Sequence, residues 1–279
     1  VPTLRFRGLA AMSSSFFAAL RCAFGSYDIV HIHAEGPAAM IWLPHFMGKK
    51  CVVTIHGLDW KREKWSGGFA SKYIHWGEKL TARYADAIIV LNKDTQEYFK
   101  REYGRSTLYI PNGVNKANVL SAKLIHEKFG LNKGSYFLSV SRLTPEKGIL
   151  QLIKSYRGVK TDKKLVIAGS ASDTDGYVQQ LKQLAQADDR VMLVGFAGGQ
   201  ALAELYSNAY TYVLPSTIEG MPMSLLEAMS YGNAVAASNI PEISEVVGVD
   251  HAKLFNPNDE EQIAEVLQYF VDHAELVRN

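Results

Sequence analysis

The sequence predicts an α/β protein made of two doubly wound, Rossmann-like domains that face each other across a cleft. Three observations predict this fold. The chain has 279 residues, which is enough for two domains of ordinary size. Short apolar runs alternate with amphipathic stretches over its whole length. The runs are apolar throughout rather than at every second residue, as in parallel strands that helices cover on both faces.

The first domain is predicted to span residues 1–113. Its strands are predicted at Tyr27–His33, Lys50–Ile55, Ala87–Leu91 and Leu108–Ile110. Its helices are predicted at Pro37–Phe46, Lys72–Tyr84 and Asp94–Glu102. The last strand runs into Pro111-Asn112-Gly113, a strong turn signal at which we place the domain boundary.

The second domain, residues 114–279, repeats this alternation. Its strands are predicted at Tyr136–Val140, Lys164–Ala168, Val191–Val194, Tyr210–Leu214 and Ala234–Ala237. Its helices are predicted at Gly148–Tyr156, Tyr177–Gln186, Gln200–Ser207, Met223–Tyr231 and Glu260–His273. Open parallel sheets bind their ligands at the carboxyl ends of the strands, so the loops after these strands are the candidate site.

Composition excludes several classes of protein. An apolar fraction of 47% and a charged fraction of 21% are typical of a globular chain and not of a disordered or collagen-like one. Two cysteines, Cys22 and Cys51, cannot form a disulfide framework, so we expect a reducing, cytoplasmic environment. No apolar run reaches the roughly 18 residues that a membrane span requires.

Charge is distributed unevenly between the two domains. Residues 1–113 hold 15 Lys+Arg and 9 Asp+Glu, a net charge of +6, and residues 114–279 have a net charge of −4. The second domain is therefore not a nucleic-acid module, and we expect no nucleic-acid partner. The positive first domain is compatible with an anionic partner or with ordinary variation in surface charge.

The most informative stretch is Pro215–Met229, with the sequence PSTIEGMPMSLLEAM. A strand ends before it, and Pro222 is predicted in the first turn of the following helix. Free backbone N–H groups at such a helix start attract phosphate. Glu219 could accept hydrogen bonds from sugar hydroxyls, and Glu227 could accept two from a ribose diol. Taken singly, each glutamate is more simply explained as a solvated residue of the loop or helix surface.

A second informative stretch is SRLTPEKG, residues 141–148, directly after the first strand of the second domain. Arg142 offers a planar fork of donors and Lys147 a point charge, and the two could converge on a diphosphate. Two cations here would stabilise a departing phosphate as a glycosyl bond breaks. The alternative is a solvated loop with a surface pair between Glu146 and Lys147.

Together these stretches resemble family 4 of the glycosyltransferases, enzymes with the two-domain GT-B fold. The resemblance rests on IPNGV, SRLTPEKG and EGMPMSLLEAM in this order, and on the seven residues between Glu219 and Glu227. It covers nearly the whole chain and is strongest from Ile110 to Pro257. The stretches YDIVHIHAEGP and VVTIHGLDWKREKW are similar to the subgroup that builds bacterial exopolysaccharide and capsule.

The resemblance implies a set of functional positions. Catalytic roles fall to His33, Arg142, Lys147 and Glu219, with His33 close to the anomeric centre. Donor-binding positions are Asn112, Gly195, Phe196, Gly220, Met221, Pro222, Ser224 and Glu227. Acceptor-side positions are His56, Asp59 and Trp60. The implied donor is a nucleotide diphosphate sugar, most simply a UDP-sugar, and no cofactor or metal ion is implied.

Three further motifs are candidates for a metal or membrane site. His31 and His33 share a face of their strand, but no ligand cluster accompanies them, and Asp173-Thr174-Asp175 is better explained by turn and helix-capping chemistry. The aromatic and basic loop 59–69 suits an anionic membrane surface, an acceptor sugar or a partly packed loop with extended lysines. We expect a cytoplasmic protein that binds peripherally to the inner face of the membrane.

The expected reaction is transfer of a sugar, with retention, to a glycan or polyprenyl-linked hydroxyl. A covalent route needs a second carboxylate beneath the anomeric carbon, and only Glu35 lies near His33 in sequence. Front-face attack is therefore favoured. No glycine-rich loop of the family precedes Tyr27, so we expect an incomplete first domain that a partner segment or subunit completes. Alternatives are a binding-only relative, a nucleotide-sugar epimerase and, more weakly, an oxidoreductase.

Overall fold

The computed structural model describes residues 2–3, 9–58, 60, 68–171, 174–248 and 252–277. The chain divides into two compact units, Val1–Asn112 and Gly113–Asn279. The division lies one residue before the boundary expected from the sequence. Both units have a parallel sheet with helical connections, so the predicted pair of Rossmann-like domains is confirmed.

Among its described residues, the first unit has a parallel sheet of four strands in chain order. Its strands are β1 (Ile29–His33), β2 (Lys50–Ile55), β3 (Ala87–Val90) and β4 (Leu108–Tyr109). Its helices are α1 (Leu9–Phe24), α2 (Glu35–Ala38), α3 (Trp42–Phe46), α4 (Phe69–Tyr84) and α5 (Lys93–Tyr103). Pairing of His33 with Thr54 aligns the ends of β1 and β2 at one edge.

The single helix predicted at Pro37–Phe46 is wrong, because the structure has two short helices there, α2 and α3. The cause is Pro44, which has no N–H to donate to a preceding helical turn. Proline is tolerated in the first turn of a helix, and α3 begins at Trp42, so Pro44 lies in that turn.

In the part of the second unit that the structure describes, six parallel strands form a sheet in the order β10-β9-β8-β5-β6-β7. Its strands are β5 (Tyr136–Val140), β6 (Lys164–Ala168), β7 (Val191–Gly195), β8 (Thr211–Leu214), β9 (Val235–Ser238) and β10 (Lys253–Phe255). Its helices are α6 (Leu124–Phe129), α7 (Ile149–Tyr156), α8 (Asp175–Gln186), α9 (Gly199–Asn208), α10 (Met223–Ser230), α11 (Pro241–Val247) and α12 (Glu260–Asp272). This is the strand order of a Rossmann sheet, in which the direction of winding reverses beside the first strand.

The core of the second unit lies on both faces of this sheet. Successive side chains of β5 alternate between the two faces, so Phe137 packs in one hydrophobic cluster and Tyr136 and Leu138 pack in the other. All three side chains are fully buried. Strands buried on both faces explain why the sequence shows continuous apolar runs here.

Candidate functional site

Loops of the second unit meet where the winding of the sheet reverses. Strand β5 pairs with both β6 and β8, so the loops that follow these three strands are neighbours. A Cβ at Gly169 would lie 1.9 Å from the Ser141 carbonyl oxygen, so only glycine allows this close approach. The Leu143 N–H donates to the Ser170 carbonyl at 2.9 Å. These contacts hold the loops after β5 and β6 together.

The loop after β5 is joined in the same way to the loop after β8. Gly148 has φ +66°, and a Cβ there would lie 2.0 Å from the Pro215 carbonyl oxygen. The Thr217 N–H donates to the Glu146 carbonyl at 2.9 Å. The short 3₁₀ turn Pro145–Lys147 therefore lies against the loop that carries Glu219.

A cavity of about 410 Å³ lies between these loops. Eight of the predicted residues line it: Arg142, Lys147, Phe196, Glu219, Met221, Pro222, Ser224 and Glu227. They come from the loops after β5, β7 and β8 and from the first turns of α10. The fold thus gathers into one place residues that lie up to 85 positions apart in the chain.

Lys147 and Glu219 form an ion pair in the wall of this cavity. The Lys147 ammonium donates to Glu219 Oε1 at 2.5 Å. The two side chains are 15% and 8% exposed, so the pair is largely screened from solvent. The sequence also allows a surface pair between Lys147 and Glu146, but the structure pairs the lysine with Glu219.

Arg142 and Phe196 face the open side of the cavity. Arg142 is an exposed residue, and no ion pair involves it within the part of the chain that the structure describes. Its planar guanidinium is therefore available to an anionic ligand. Phe196 is 80% exposed, a large apolar surface that a flat ring could cover.

Helix α10 begins at the cavity. Pro222 occupies the cap position before Met223, with φ −75° and ψ 101°, so its prediction as a first-turn residue is wrong by one position. An extended ψ is outside the helical region, which is why the helix starts one residue later. The first N–H groups of the helix, including that of Ser224, have no carbonyl partner within the helix itself. They are suited to bind an anion.

Two buried tyrosines that sequence reasoning missed contact the residues of α10 that line the cavity. The Tyr206 hydroxyl donates to Glu227 Oε2 at 3.1 Å, and the Tyr212 hydroxyl donates to Ser224 Oγ at 2.8 Å. Burial raises the pKa of both hydroxyls above the ordinary value of a tyrosine. In sequence they look like ordinary core residues of a helix and a strand, so no local signal distinguishes them.

Three predicted donor positions are not among the described residues that line the cavity. Gly195 ends β7 with φ +74°, directly before the lining residue Phe196. Gly220 is buried between Glu219 and Met221. Asn112 is the last residue of the first unit. Their assigned roles stay predictions.

Histidines cluster at the carboxyl ends of β1 and β2 in the first unit. The rings of His31 and His33 lie 4.3 Å apart, as expected for one face of a strand. His33 Nδ1 and His56 Nε2 are 3.0 Å apart and share one hydrogen bond. His31 Nε2 bonds Thr54 Oγ1 at 2.8 Å, and burial, followed by the neighbouring His33, lowers the pKa of His31. The lowered pKa favours the neutral ring of His31, while His33 and His56 lie near the sheet edge.

Other first-unit candidates have structural partners. Glu35 is fully buried at the start of α2. The Trp60 indole N–H donates to the buried carboxylate of Glu78 at 2.8 Å, so the polar atom of this predicted acceptor-side residue points into the protein. Asp59, Asp173 and residues 61–67 of the aromatic and basic loop lie outside the described residues. Within the described part of the chain, no helix has both the length and the apolar character to cross a bilayer.

Comparison with known protein families matches both units. The model of the group 1 glycosyl transferases matches residues 121–279, and that of glycosyltransferase family 4 matches residues 1–118. The O-antigen chain mannosyltransferase B of Escherichia coli is 31% identical over 153 residues, which cover 53% of this chain and 40% of that protein. The UDP-Gal:α-D-GlcNAc-diphosphoundecaprenol α-1,3-galactosyltransferase of Escherichia coli is 29% identical over 234 residues, which cover 77% and 58%.

Comparison with solved structures gives the same fold. The Anabaena protein Alr3699/HepE in complex with UDP and glucose has a TM-score of 0.80 at 20% identity. The match covers 96% of this chain and 73% of that structure. The chain spans 40% to 65% of the length of the curated relatives compared with it.

Proposed function

Because the chain belongs to family 4 of the glycosyltransferases and has their GT-B fold, we propose that it transfers a sugar from a nucleotide diphosphate sugar to a hydroxyl acceptor. One observation carries this proposal. The second unit gathers two cations, a helix start and two carboxylates around a single cavity. The cations and the helix start suit the diphosphate of such a donor, and the carboxylates suit the hydroxyls of its sugar and ribose.

Each part of the donor has a candidate partner in the cavity. We place the diphosphate between Arg142, Lys147 and the start of α10, where positive charge is concentrated. The ribose diol lies against Glu227, and the base covers the exposed ring of Phe196. The sugar lies beside Glu219. A uridine nucleotide is the donor that we favour, since Alr3699/HepE was solved with UDP-glucose.

The mechanism that we propose proceeds with retention and takes its positive charge from the protein rather than from a metal ion. The bond between the anomeric carbon and the diphosphate oxygen breaks first, and Arg142 and Lys147 stabilise the departing charge. The acceptor oxygen then attacks the same face of the sugar. Its proton passes to the departing phosphate oxygen, so no nucleophilic carboxylate is needed. The full burial of Glu35 favours this route over a covalent intermediate.

The acceptor that we propose is a growing surface polysaccharide on a polyprenyl carrier. Two relatives support this class: one is named for O-antigen chains and the other for a diphosphoundecaprenol-linked GlcNAc. The roles of His33 and His56 stay predictions, as does binding to an anionic membrane surface.

Binding and turnover separate this proposal from its alternatives. The first measurement is calorimetric titration of the chain with UDP, GDP and ADP, because a donor site binds the diphosphate of its own donor. The second is incubation of the matching nucleotide sugar with and without a polyprenyl-linked oligosaccharide. Transfer only in the presence of acceptor supports the proposal, conversion of donor alone indicates an epimerase, and binding without either reaction indicates a binding-only relative.

The Lys147→Ala variant tests the role of this lysine in turnover. We expect it to lower turnover by about two or more orders of magnitude, because the ammonium meets charge that develops on the leaving diphosphate. An unchanged rate would contradict the role proposed for this lysine.

A further inference from the structure

Tyr206 lies directly behind the carboxylate that we assign to the ribose. It belongs to α9, is 2% exposed, and its hydroxyl donates to Glu227 Oε2 at 3.1 Å. Glu227 itself lines the cavity. Tyr206 therefore acts on the cavity through Glu227 while being almost wholly inaccessible to a ligand.

The ring of Tyr206 is clamped by two other aromatic rings. Tyr231, just after α10, stacks on it with ring centroids 5.5 Å apart and an interplanar angle of 19°. Tyr212 lies on another side, with centroids 5.9 Å apart. These two rings restrict the movement of the phenol, whose hydroxyl lies between Glu227 Oε2 and the Ser224 carbonyl oxygen.

Tyr206 must act as a hydrogen-bond donor in this position. Burial raises its pKa well above the ordinary value near 10, and the neighbouring Tyr212 and Glu227 raise it further. The phenol thus keeps its proton at any physiological pH, and its single O–H lies 3.1 Å from Glu227 Oε2 and 3.2 Å from the Ser224 carbonyl oxygen. Of these two acceptors we assign the proton to the carboxylate. Hydrogen bonds to an ionised carboxylate are stronger than those between neutral groups.

This bond leaves Glu227 able to bind a diol. An ionised carboxylate has about four acceptor positions, so one bond from Tyr206 leaves enough for two ribose hydroxyls. A glutamate side chain without such a partner samples several rotamers, and fixing it costs conformational entropy when ligand binds. We propose that Tyr206 is a positioning residue that presets Glu227 for a ribose diol and so sets the preference of the site for ribonucleotides. This inference rests on the proposed function.

The test compares binding of UDP with binding of 2′,3′-dideoxy-UDP, which lacks both hydroxyls of the diol. Affinities are measured by calorimetry for the wild-type chain, for Tyr206→Phe and for Tyr136→Phe. Tyr136 is the matched control, because it is fully buried in the same cluster and donates to the carbonyl of Leu205, the residue before Tyr206. Removing the Tyr136 hydroxyl deletes a comparable buried hydrogen bond that does not involve Glu227.

For the wild-type chain we expect UDP to bind at least about tenfold more tightly than the dideoxy analogue, since hydrogen bonds to a charged group are lost. Tyr206→Phe should lower the ratio of the affinity for UDP to that for the dideoxy analogue about three- to tenfold, because it weakens the binding of UDP alone. Tyr136→Phe should keep the wild-type ratio. In a Glu227→Gln background, Tyr206→Phe should lower the ratio no further, because both changes act on the same carboxylate.

Each other outcome overturns a defined claim. If Tyr206→Phe keeps the wild-type ratio, or weakens both nucleotides equally, Tyr206 is a structural residue and the inference is wrong. If Tyr136→Phe changes the ratio as much as Tyr206→Phe does, the change results from disturbance of helix α9 and not from loss of the bond to Glu227, and the inference is wrong. A wild-type chain that fails to bind UDP, or to distinguish the analogue, overturns the ribose assignment in the proposed function as well.

Discussion

Loss of the Lys147 ammonium should destabilise the second unit even when no nucleotide is present. In Lys147→Met the aliphatic stem remains, but Glu219 keeps its charge at a site where its side chain is only 8% exposed. Breaking a fully buried ion pair costs about 3–5 kcal/mol, and an exposed pair contributes about 1 kcal/mol or less. Since both partners are largely but not fully screened, we expect a loss of about 2 kcal/mol. This corresponds to roughly 4–8 °C in the melting temperature of a unit of this size.

A double-mutant cycle isolates the pair. Lys147→Met, Glu219→Gln and the double variant are compared by scanning calorimetry, and hydrogen exchange of residues 136–148 reports on this unit alone. We expect a coupling free energy of about 1–2 kcal/mol, with the double variant more stable than Lys147→Met. Strictly additive effects, within about 0.5 kcal/mol, would show that the pair contributes nothing.

The same variants separate binding from turnover. Glu219 neutralises part of the charge that a diphosphate needs from Lys147, so Glu219→Gln should bind UDP a few-fold more tightly than the wild-type chain does. It should nevertheless turn over the nucleotide sugar more slowly, because a charged acceptor for the sugar hydroxyls is lost. Weaker binding of UDP by Glu219→Gln would refute the reasoning.

Three further predictions follow from other contacts. Arg142→Ala should weaken UDP binding at least about tenfold but leave uridine binding and the melting temperature unchanged, because this exposed guanidinium is assigned to the diphosphate and has no ion-pair partner among the described residues. Calorimetric titration and melting curves test this, and an equal loss of affinity for uridine contradicts it. Gly148→Ala should lower the free energy of unfolding by more than about 2 kcal/mol, because residue 148 has φ +66° and its new Cβ would collide with the Pro215 carbonyl. A denaturant titration measures this loss, and a variant as stable as the wild type would refute the close approach. The backbone N–H of Cys51 lowers the pKa of Asp86, so its stabilisation is complete above the unfolded pKa near 4 and is lost as pH falls through the lower folded pKa. Asp86→Asn should therefore lower the melting temperature at pH 7, and its difference from the wild type should shrink as pH falls below about 4. A pH-independent difference would contradict the assignment.

Most strands could be predicted because a short, continuous apolar run indicates a strand whose two faces are both buried. Strands β2, β5 and β6 have the predicted bounds. Helix α1 was missed because Ser13, Ser14 and Ser15 interrupt its apolar pattern. In the structure their hydroxyls bond back to carbonyls of the preceding turn, which lets serines occupy a helix.

The residues that line the cavity of the second unit could be predicted, but not the side chains that they bond. Lys147 and Glu219 lie in loops that follow strands, and Glu227 lies one turn into the helix after such a loop, so the sequence places all three near the sheet edge. The contact between Lys147 and Glu219 joins residues 72 positions apart, and that between Glu227 and Tyr206 joins residues 21 apart. Such contacts depend on tertiary packing, for which hydrophobic periodicity and local motifs contain no information.

The most direct test of the account is a crystal structure of this chain with UDP. We predict the diphosphate within hydrogen-bonding distance of Arg142 and Lys147, with the ribose hydroxyls on Glu227. The ammonium of Lys147 should have moved from Glu219 toward the phosphate. A nucleotide bound elsewhere, or bound in this cavity with its diphosphate away from both cations, would contradict the account.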